Sequence, residues 1–150
     1  MNKVIIGVDP AFRKNGFCMC IIDEDKEVAF ITFKERTNFI NWILNEMPKN
    51  SFVVVENSNE QNITFDMRGS KQEIARRSRD VGKNQAISQL AYELFKEHAL
   101  KVRNVSPKQK GSKIKYNSFI HGIMSGNGLK CDKKSFSQDE RDAFQLAMMA

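Results

Sequence analysis

The stretch Lys3-Val4-Ile5-Ile6-Gly7-Val8-Asp9-Pro10 is the most informative part of the sequence for the fold. It holds a short β-branched apolar run that stops at an acidic turn. The run over 3–8 predicts a buried strand, and the Asp-Pro pair predicts the turn that ends it. Two more apolar runs, over 16–22 and 28–33, follow at short distances along the chain. Three consecutive strands with short connections predict an antiparallel meander.

Helical and strand-like patterns alternate over the rest of the chain. Apolar residues recur at helical spacing over 36–47 and 84–98, and a further helix is predicted within 112–124. Dense apolar runs predict strands over 51–56 and 101–105.

The final predicted helix opens with Ser137-Gln138-Asp139-Glu140, which has the pattern of a capping box. Ser137 stands at the N-cap and Glu140 at the third helical position. The resulting order, β-β-β-α-β-α-β-α-α, predicts one mixed α/β domain over 1–150.

Composition indicates the class of protein and its compartment. The chain lacks a run of about 20 apolar residues that would cross a bilayer, and its first residues lack the pattern of a signal peptide. Its three cysteines, Cys18, Cys20 and Cys131, are an odd number with no second pair for a zinc site. We therefore expect reduced structural thiols in a soluble, cytoplasmic protein of a bacterial or phage-infected cell, with no membrane partner.

Charge is distributed unevenly along a chain whose net charge is +6. Residues 1–67 hold 7 Lys and Arg against 10 Asp and Glu, whereas residues 68–150 hold 17 against 8. A basic half predicts a polyanionic partner, with nucleic acid as the first choice, although a merely soluble basic surface also fits. The residues predicted to contact DNA phosphates lie in two basic runs and are Arg76, Arg77, Lys83, Lys108, Lys110, Lys113 and Lys115.

Four carboxylates follow or begin predicted elements in a way that indicates a metal site. Asp9 and Glu56 each end an apolar strand, and Asp139 and Asp142 share one face of a helix. If the two strands are parallel neighbours, all four acids meet, and a divalent cation relieves their repulsion. Oxygen ligands select Mg²⁺, or Mn²⁺ in its place, and two such ions about 4 Å apart assist in-line phosphoryl displacement. Taken singly, each acid is also consistent with a turn, a helix-dipole partner or an exposed strand end.

Three of these motifs together resemble the RuvC-type Holliday-junction resolvases. The resemblance lies in Ile5-Ile6-Gly7-Val8-Asp9-Pro10, in Phe52-Val53-Val54-Val55-Glu56 and in Asp139-Glu140-Arg141-Asp142-Ala143, in that order along nearly the whole chain. It implies a ribonuclease-H-like fold, a mixed five-stranded sheet flanked by helices. It also implies a homodimer and two-metal cleavage of branched DNA, with Asp9, Glu56, Asp139 and Asp142 as catalytic metal ligands.

Two further roles in that family have less direct counterparts here. The family places an aromatic residue soon after its second acidic motif to open the junction centre, and the nearest equivalent is Phe65. The family also has a functional lysine after the fifth strand, and both Lys108 and Lys110 match that position. The sequence does not choose between them.

Three other functions remain open at this level. A broader structure-selective nuclease acting on flaps, forks or RNA has the same motifs. An actin-like or sugar-kinase-like nucleotide-binding domain also starts with a strand and Gly-x-Asp, but a Gly-rich phosphate loop does not follow Asp9. The third is a DNA-binding protein without catalysis, which an observation of metal-dependent cleavage would exclude.

Overall fold

A mixed sheet of five strands forms the centre of the protein. The computed structural model describes residues 3–9, 17–56 and 70–150, without the side chains at 74, 77, 78, 80–85 and 87. The strands are β1 (Val4–Asp9), β2 (Phe17–Ile22), β3 (Val28–Phe33), β4 (Ser51–Glu56) and β5 (Lys101–Val105).

The strand order β3-β2-β1-β4-β5 combines an antiparallel and a parallel part. β1, β2 and β3 pair antiparallel, whereas β4 pairs in parallel with both β1 and β5. Val8 lies opposite Val55, so Asp9 and Glu56, one residue further along each strand, reach the same edge of the sheet. The predicted meander and the predicted mixed five-stranded sheet are confirmed, and β1 and β4 are the parallel neighbours that the meeting of the acids requires.

Five helices flank the described part of the sheet, and none of those helices is both long and apolar enough to span a membrane. The last helix begins with the predicted capping box, since Ser137 Oγ accepts from the Glu140 amide and Glu140 Oε1 accepts from the Ser137 amide. The helices are α1 (Arg36–Asn45), α2 (Lys71–His98), α3 (Pro107–Lys110), α4 (Asn117–Gly126) and α5 (Gln138–Ala147).

The second helix is much longer than the sequence predicted. The apolar repeat indicated a helix over 84–98, but α2 begins at Lys71. The first half of α2 shows no apolar stripe because it is rich in charged residues, and its described side chains face solvent. Ser70 caps the helix by accepting a hydrogen bond from the Glu73 amide, and the Ser-x-x-Glu pattern was the available signal.

Other boundaries also shifted from those predicted. β1 runs over Val4–Asp9 rather than 3–8, so Asp9 belongs to the strand and is held by its pairing with Cys18. The helix predicted within 112–124 begins only at Asn117. The residues before it stay outside the helix. Gly111, with φ of 83°, ends the short α3, and Gln138 and Gln145 of α5 donate hydrogen bonds to the carbonyl oxygens of Ile114 and Lys110.

Each face of the sheet buries its own apolar cluster. Alternate residues of β2 illustrate this, because Phe17 and Met19 join one cluster whereas Cys18 and Cys20 join the other. The first cluster lies beneath α1 and α2 and includes Phe39 and Phe95. The second lies beneath α4 and α5 and is formed by Cys18, Cys20, Ile22, Val28, Ile120, Met124, Phe136, Ala143, Phe144 and Ala147.

Gly7 lets the last helix lie directly on the first strand. A Cβ atom at this position would fall on backbone atoms of Ala143 and Ala147, so only glycine permits this approach. The close contact fixes α5 along β1. The first turns of α5 consequently lie at the end of β1, where the acidic residues gather.

Candidate metal centre

Three aspartates from the two ends of the chain form one cluster. Carboxylate oxygens of Asp9, Asp139 and Asp142 all lie within 4.8 Å of one another. Asp9 comes from the end of β1, and the other two come from successive turns on one face of α5. Asp9 and Asp142 are buried and Asp139 is half-buried.

The surroundings of Asp142 fit a cation. Its side chain is 0% exposed, and Oδ1 accepts a hydrogen bond from Gln138 Nε2 at 2.9 Å. Oδ2 is buried and accepts no hydrogen bond from any described residue. A buried carboxylate oxygen without a hydrogen bond is costly, and two neighbouring carboxylates raise that cost. A divalent ion held by Asp9, Asp139 and Asp142 would remove both penalties, so the residues fit a hard cation.

Glu56 reaches the same edge of the sheet but has a different partner. Its Oε2 accepts from Lys110 Nζ at 2.9 Å, and the same ammonium lies 4.0 Å from Asp142 Oδ1. The Lys110 side chain is only 5% exposed and that of Glu56 is 16% exposed. A lysine ammonium thus separates Glu56 from the three aspartates. The sequence predicted four carboxylates in one group, and the structure groups three of them with Glu56 one cation away.

Helix α5 also positions the lysine segment. Its Gln145 donates to the carbonyl oxygens of Lys110 at 2.9 Å and Ser112 at 3.0 Å. Gln138 and Arg141, on the same face of the helix, both donate to the Ile114 carbonyl at 3.1 Å. One helix therefore supplies two carboxylates and fixes the backbone that carries the nearest lysines.

The ligand atoms that the cluster offers are carboxylate oxygens, one from each aspartate. Such a donor set favours Mg²⁺ or Mn²⁺ over softer ions. In the absence of a metal ion, burial raises the pKa of the nearby Cys18 thiol to about 12, and the negative charges of Glu140, Asp139 and Asp9 add to that increase, while a hydrogen bond with Thr32 opposes it.

The predicted DNA contacts fall into three groups. Arg76, Lys108, Lys113 and Lys115 are exposed, as phosphate contacts require. Lys110 is buried beside the carboxylates, so its side chain faces the acidic site rather than the open surface. Arg77 and Lys83 lie in α2, but their side chains, like the whole of Phe65, are outside the described residues.

Sequence reasoning missed the residues that support the site. Lys113 was predicted only as a phosphate contact, but its Nζ lies 3.9 Å from Asp142 Oδ2. Gln138, Arg141 and Gln145 were not singled out. Their spacing of three and four on a capped helix was the only signal, and it also fits an ordinary solvated face.

Comparisons with known proteins give one structural similarity. No protein-family model and no curated protein matches the sequence. Among solved structures, the chain is similar to RuvC from T. thermophilus in complex with a Holliday junction substrate. The two chains are 14% identical, the similarity covers 97% of this chain and 90% of that chain, and the TM-score is 0.49. A similarity of this size does not define a function, so the function has to be argued from the site.

Proposed function

We propose that this protein is a metal-dependent nuclease that cleaves branched DNA, with four-way junctions as its preferred substrate. The observation that carries the proposal is the group of three aspartates with the buried Oδ2 of Asp142, which accepts no hydrogen bond from the described residues. Carboxylates so placed bind Mg²⁺ or Mn²⁺, and this chemistry recurs in enzymes that hydrolyse phosphodiesters.

A divalent ion bound by Asp9, Asp139 and Asp142 would activate water and polarise the scissile phosphate. Asp9 and Asp142 hold rigid positions for this, because one ends a central strand and the other is completely buried on α5. Lys110 points its ammonium into the same site, where it stabilises negative charge that develops on the phosphate. Glu56 orients that ammonium through their 2.9 Å contact, and it would be a further ligand for a second ion.

The basic residues determine how DNA lies on the site. Lys108, Lys113 and Lys115 are exposed, and Lys113 has its Nζ 3.9 Å from Asp142 Oδ2. Such lysines contact phosphates and position a duplex without reading its sequence. Arg76, on α2, is a further exposed basic residue. A homodimer would present two such sites to two opposed strands, as symmetric cutting of a junction requires.

The test is a cleavage assay on synthetic four-way junctions, three-way junctions, flaps, linear duplexes and RNA–DNA hybrids. We expect cleavage of the four-way junction with Mg²⁺ or Mn²⁺ and none with a chelator. Equal rates on all substrates would replace the junction preference with a general structure-selective nuclease. No cleavage of any substrate with either ion would refute the nuclease itself. Sedimentation of the protein alone and with junction tests the dimer.

A further inference from the structure

Two large aromatic side chains lie exposed and side by side at the start of α4. Tyr116 is 64% exposed and Phe119 is 63% exposed, and their ring centroids are 6.0 Å apart. Single exposed apolar residues are common on proteins, but two rings in mutual contact form an apolar patch that a partner can cover.

The two exposed rings are not part of the apolar core. The inward side of α4 is already filled by Ile120 and Met124, which are buried in the cluster beneath α4 and α5. Asn117, between the two rings in sequence, fixes the start of the helix by accepting from Arg141 Nη1 at 3.0 Å. The rings are thus held on a rigid element, on the side that the core does not use.

The backbone that leads to the rings lies close to Asp142. Gln138 Nε2 donates both to Asp142 Oδ1, at 2.9 Å, and to the Ile114 carbonyl, at 3.1 Å. Ile114 is two residues before Tyr116, and two extended residues span at most about 7 Å. The backbone of Tyr116 is therefore only a few nucleotide lengths from the metal centre.

Positive charge directly precedes the rings along the chain. Lys113 and Lys115 are exposed directly before Tyr116, and the run 108–115 holds four lysines and no acid. Lysines for phosphates beside aromatic rings for bases are the combination that binds single-stranded nucleic acid. A base inside a duplex is already stacked on both faces, so these rings require a base that is unpaired.

We propose that Tyr116 and Phe119 form a stacking site for unpaired DNA bases next to the metal centre. The site favours substrates whose strands are open at the branch point over uninterrupted duplex. The inference rests on the proposed function in taking DNA as the ligand, but it concerns binding and requires no cleavage.

The test compares two DNA ligands in the presence of a chelator, by fluorescence anisotropy on the full chain. One is a single strand with 2-aminopurine at central positions, and the other is the fully paired duplex of the same sequence. We expect Tyr116→Ala and Phe119→Ala each to weaken single-strand binding about fivefold or more. Duplex affinity should stay unchanged, and Tyr116→Phe and Phe119→Tyr should keep the single-strand affinity. The 2-aminopurine emission should be quenched on binding to the native protein and much less on binding to the double alanine variant.

Leu44→Ala and Leu100→Ala are the matched controls, because they remove exposed apolar side chains elsewhere on the surface. Equal losses on single strand and duplex, or no loss on either, would overturn the proposal. It would also be overturned if the double alanine variant turned a dimer into monomers and kept full single-strand affinity, since the rings would then join two copies of the chain. A protein that stacks bases but cuts nothing refutes the nuclease and leaves this inference. A nuclease indifferent to both alanine substitutions refutes this inference alone.

Discussion

The acidic edge of the sheet contains two arrangements of carboxylates that lie side by side and are neutralised differently. Glu56 has a lysine partner, since Lys110 Nζ lies 2.9 Å from its Oε2. Asp9, Asp139 and Asp142 crowd within 4.8 Å, and one buried oxygen of Asp142 accepts no hydrogen bond from the described residues. Each predicted ligand ends a strand or begins a helix, but the three aspartates crowd against one another, whereas Glu56 faces a lysine ammonium at hydrogen-bond distance.

The contrast between Glu56 and the three aspartates indicates which carboxylates depend on a cation from solution. A carboxylate paired with a lysine is already compensated, and a second positive ion has to compete with that lysine. Three crowded carboxylates gain much more from a divalent ion. We therefore expect changes in the aspartates to affect metal binding and catalysis most, and changes in the Glu56–Lys110 pair to affect stability and charge placement.

The largest effect is expected for Asp9→Asn. Asparagine keeps the size of the side chain but loses the charge that binds the ion, and metal ions contribute several kcal/mol to such reactions. We expect the single-turnover cleavage rate of a four-way junction to fall by about a thousandfold or more. Junction affinity should remain, because the substitution removes a proposed metal ligand and none of the predicted phosphate contacts. Asp132→Asn, at an exposed acid, is the matched control, and joint loss of binding and folding would contradict the assignment of Asp9 as a ligand.

Lys110→Met should give the next largest effect. Methionine approximates the length of the side chain and removes its ammonium, so the cleavage rate should drop about a hundredfold. Lys108→Met should change the rate only a few fold, because that side chain is exposed. Equal losses in the two variants would show that the buried position of Lys110 has no catalytic meaning and that both lysines act only through DNA binding.

Metal binding itself should raise thermal stability, with no DNA present. At about 100 times the dissociation constant, one ion adds about 2.7 kcal/mol, which corresponds to about 5–10 °C in Tm for a chain of this size. Differential scanning fluorimetry with Mg²⁺ or Mn²⁺ measures this shift. It should vanish in Asp9→Asn and persist in Glu56→Gln. A shift that Glu56→Gln abolishes and Asp9→Asn spares would reverse the comparison.

Without metal, the two kinds of carboxylate should respond to neutralisation with opposite signs. Glu56→Gln leaves the Lys110 ammonium with less compensation and should lower the free energy of unfolding by about 1–2 kcal/mol, less than for a fully buried pair. Asp9→Asn removes one of three repelling charges and should raise it. Urea denaturation in a chelating buffer measures both, and a decrease of equal size in both variants would show that repulsion among the aspartates is negligible.

Lys113→Ala should have the smallest effect. Its side chain is 52% exposed and its Nζ is 3.9 Å from Asp142 Oδ2, so solvent screens the interaction. We expect stability to change by less than about 1 kcal/mol and junction affinity to fall by only a few fold, with a shallower dependence on salt. A loss as large as that of Lys110→Met would make Lys113 part of the reacting site.

The sequence was sufficient for the elements whose pattern is apolar and periodic. The five strands and the capping box at Ser137 were predictable, because burial and capping leave local signatures. The parallel pairing that aligns Asp9 with Glu56 was a condition that the sequence left open, and the structure meets it. The first half of α2 was not predicted, since a solvated charged helix has no apolar stripe. The contact between Glu56 and Lys110 was not predictable either, because the two residues are 54 positions apart and meet only through the register of β4 and β5.

The close approach of α5 to Gly7 makes the aspartate cluster depend on the docking of one helix. Asp9 lies on β1, whereas Asp139 and Asp142 lie on α5, so the cluster forms only when α5 packs on β1. Contacts between segments so distant in sequence form late in folding. A folding intermediate in which α5 has not docked therefore holds Asp9 apart from the other two aspartates, and we expect it to have no three-carboxylate cation site.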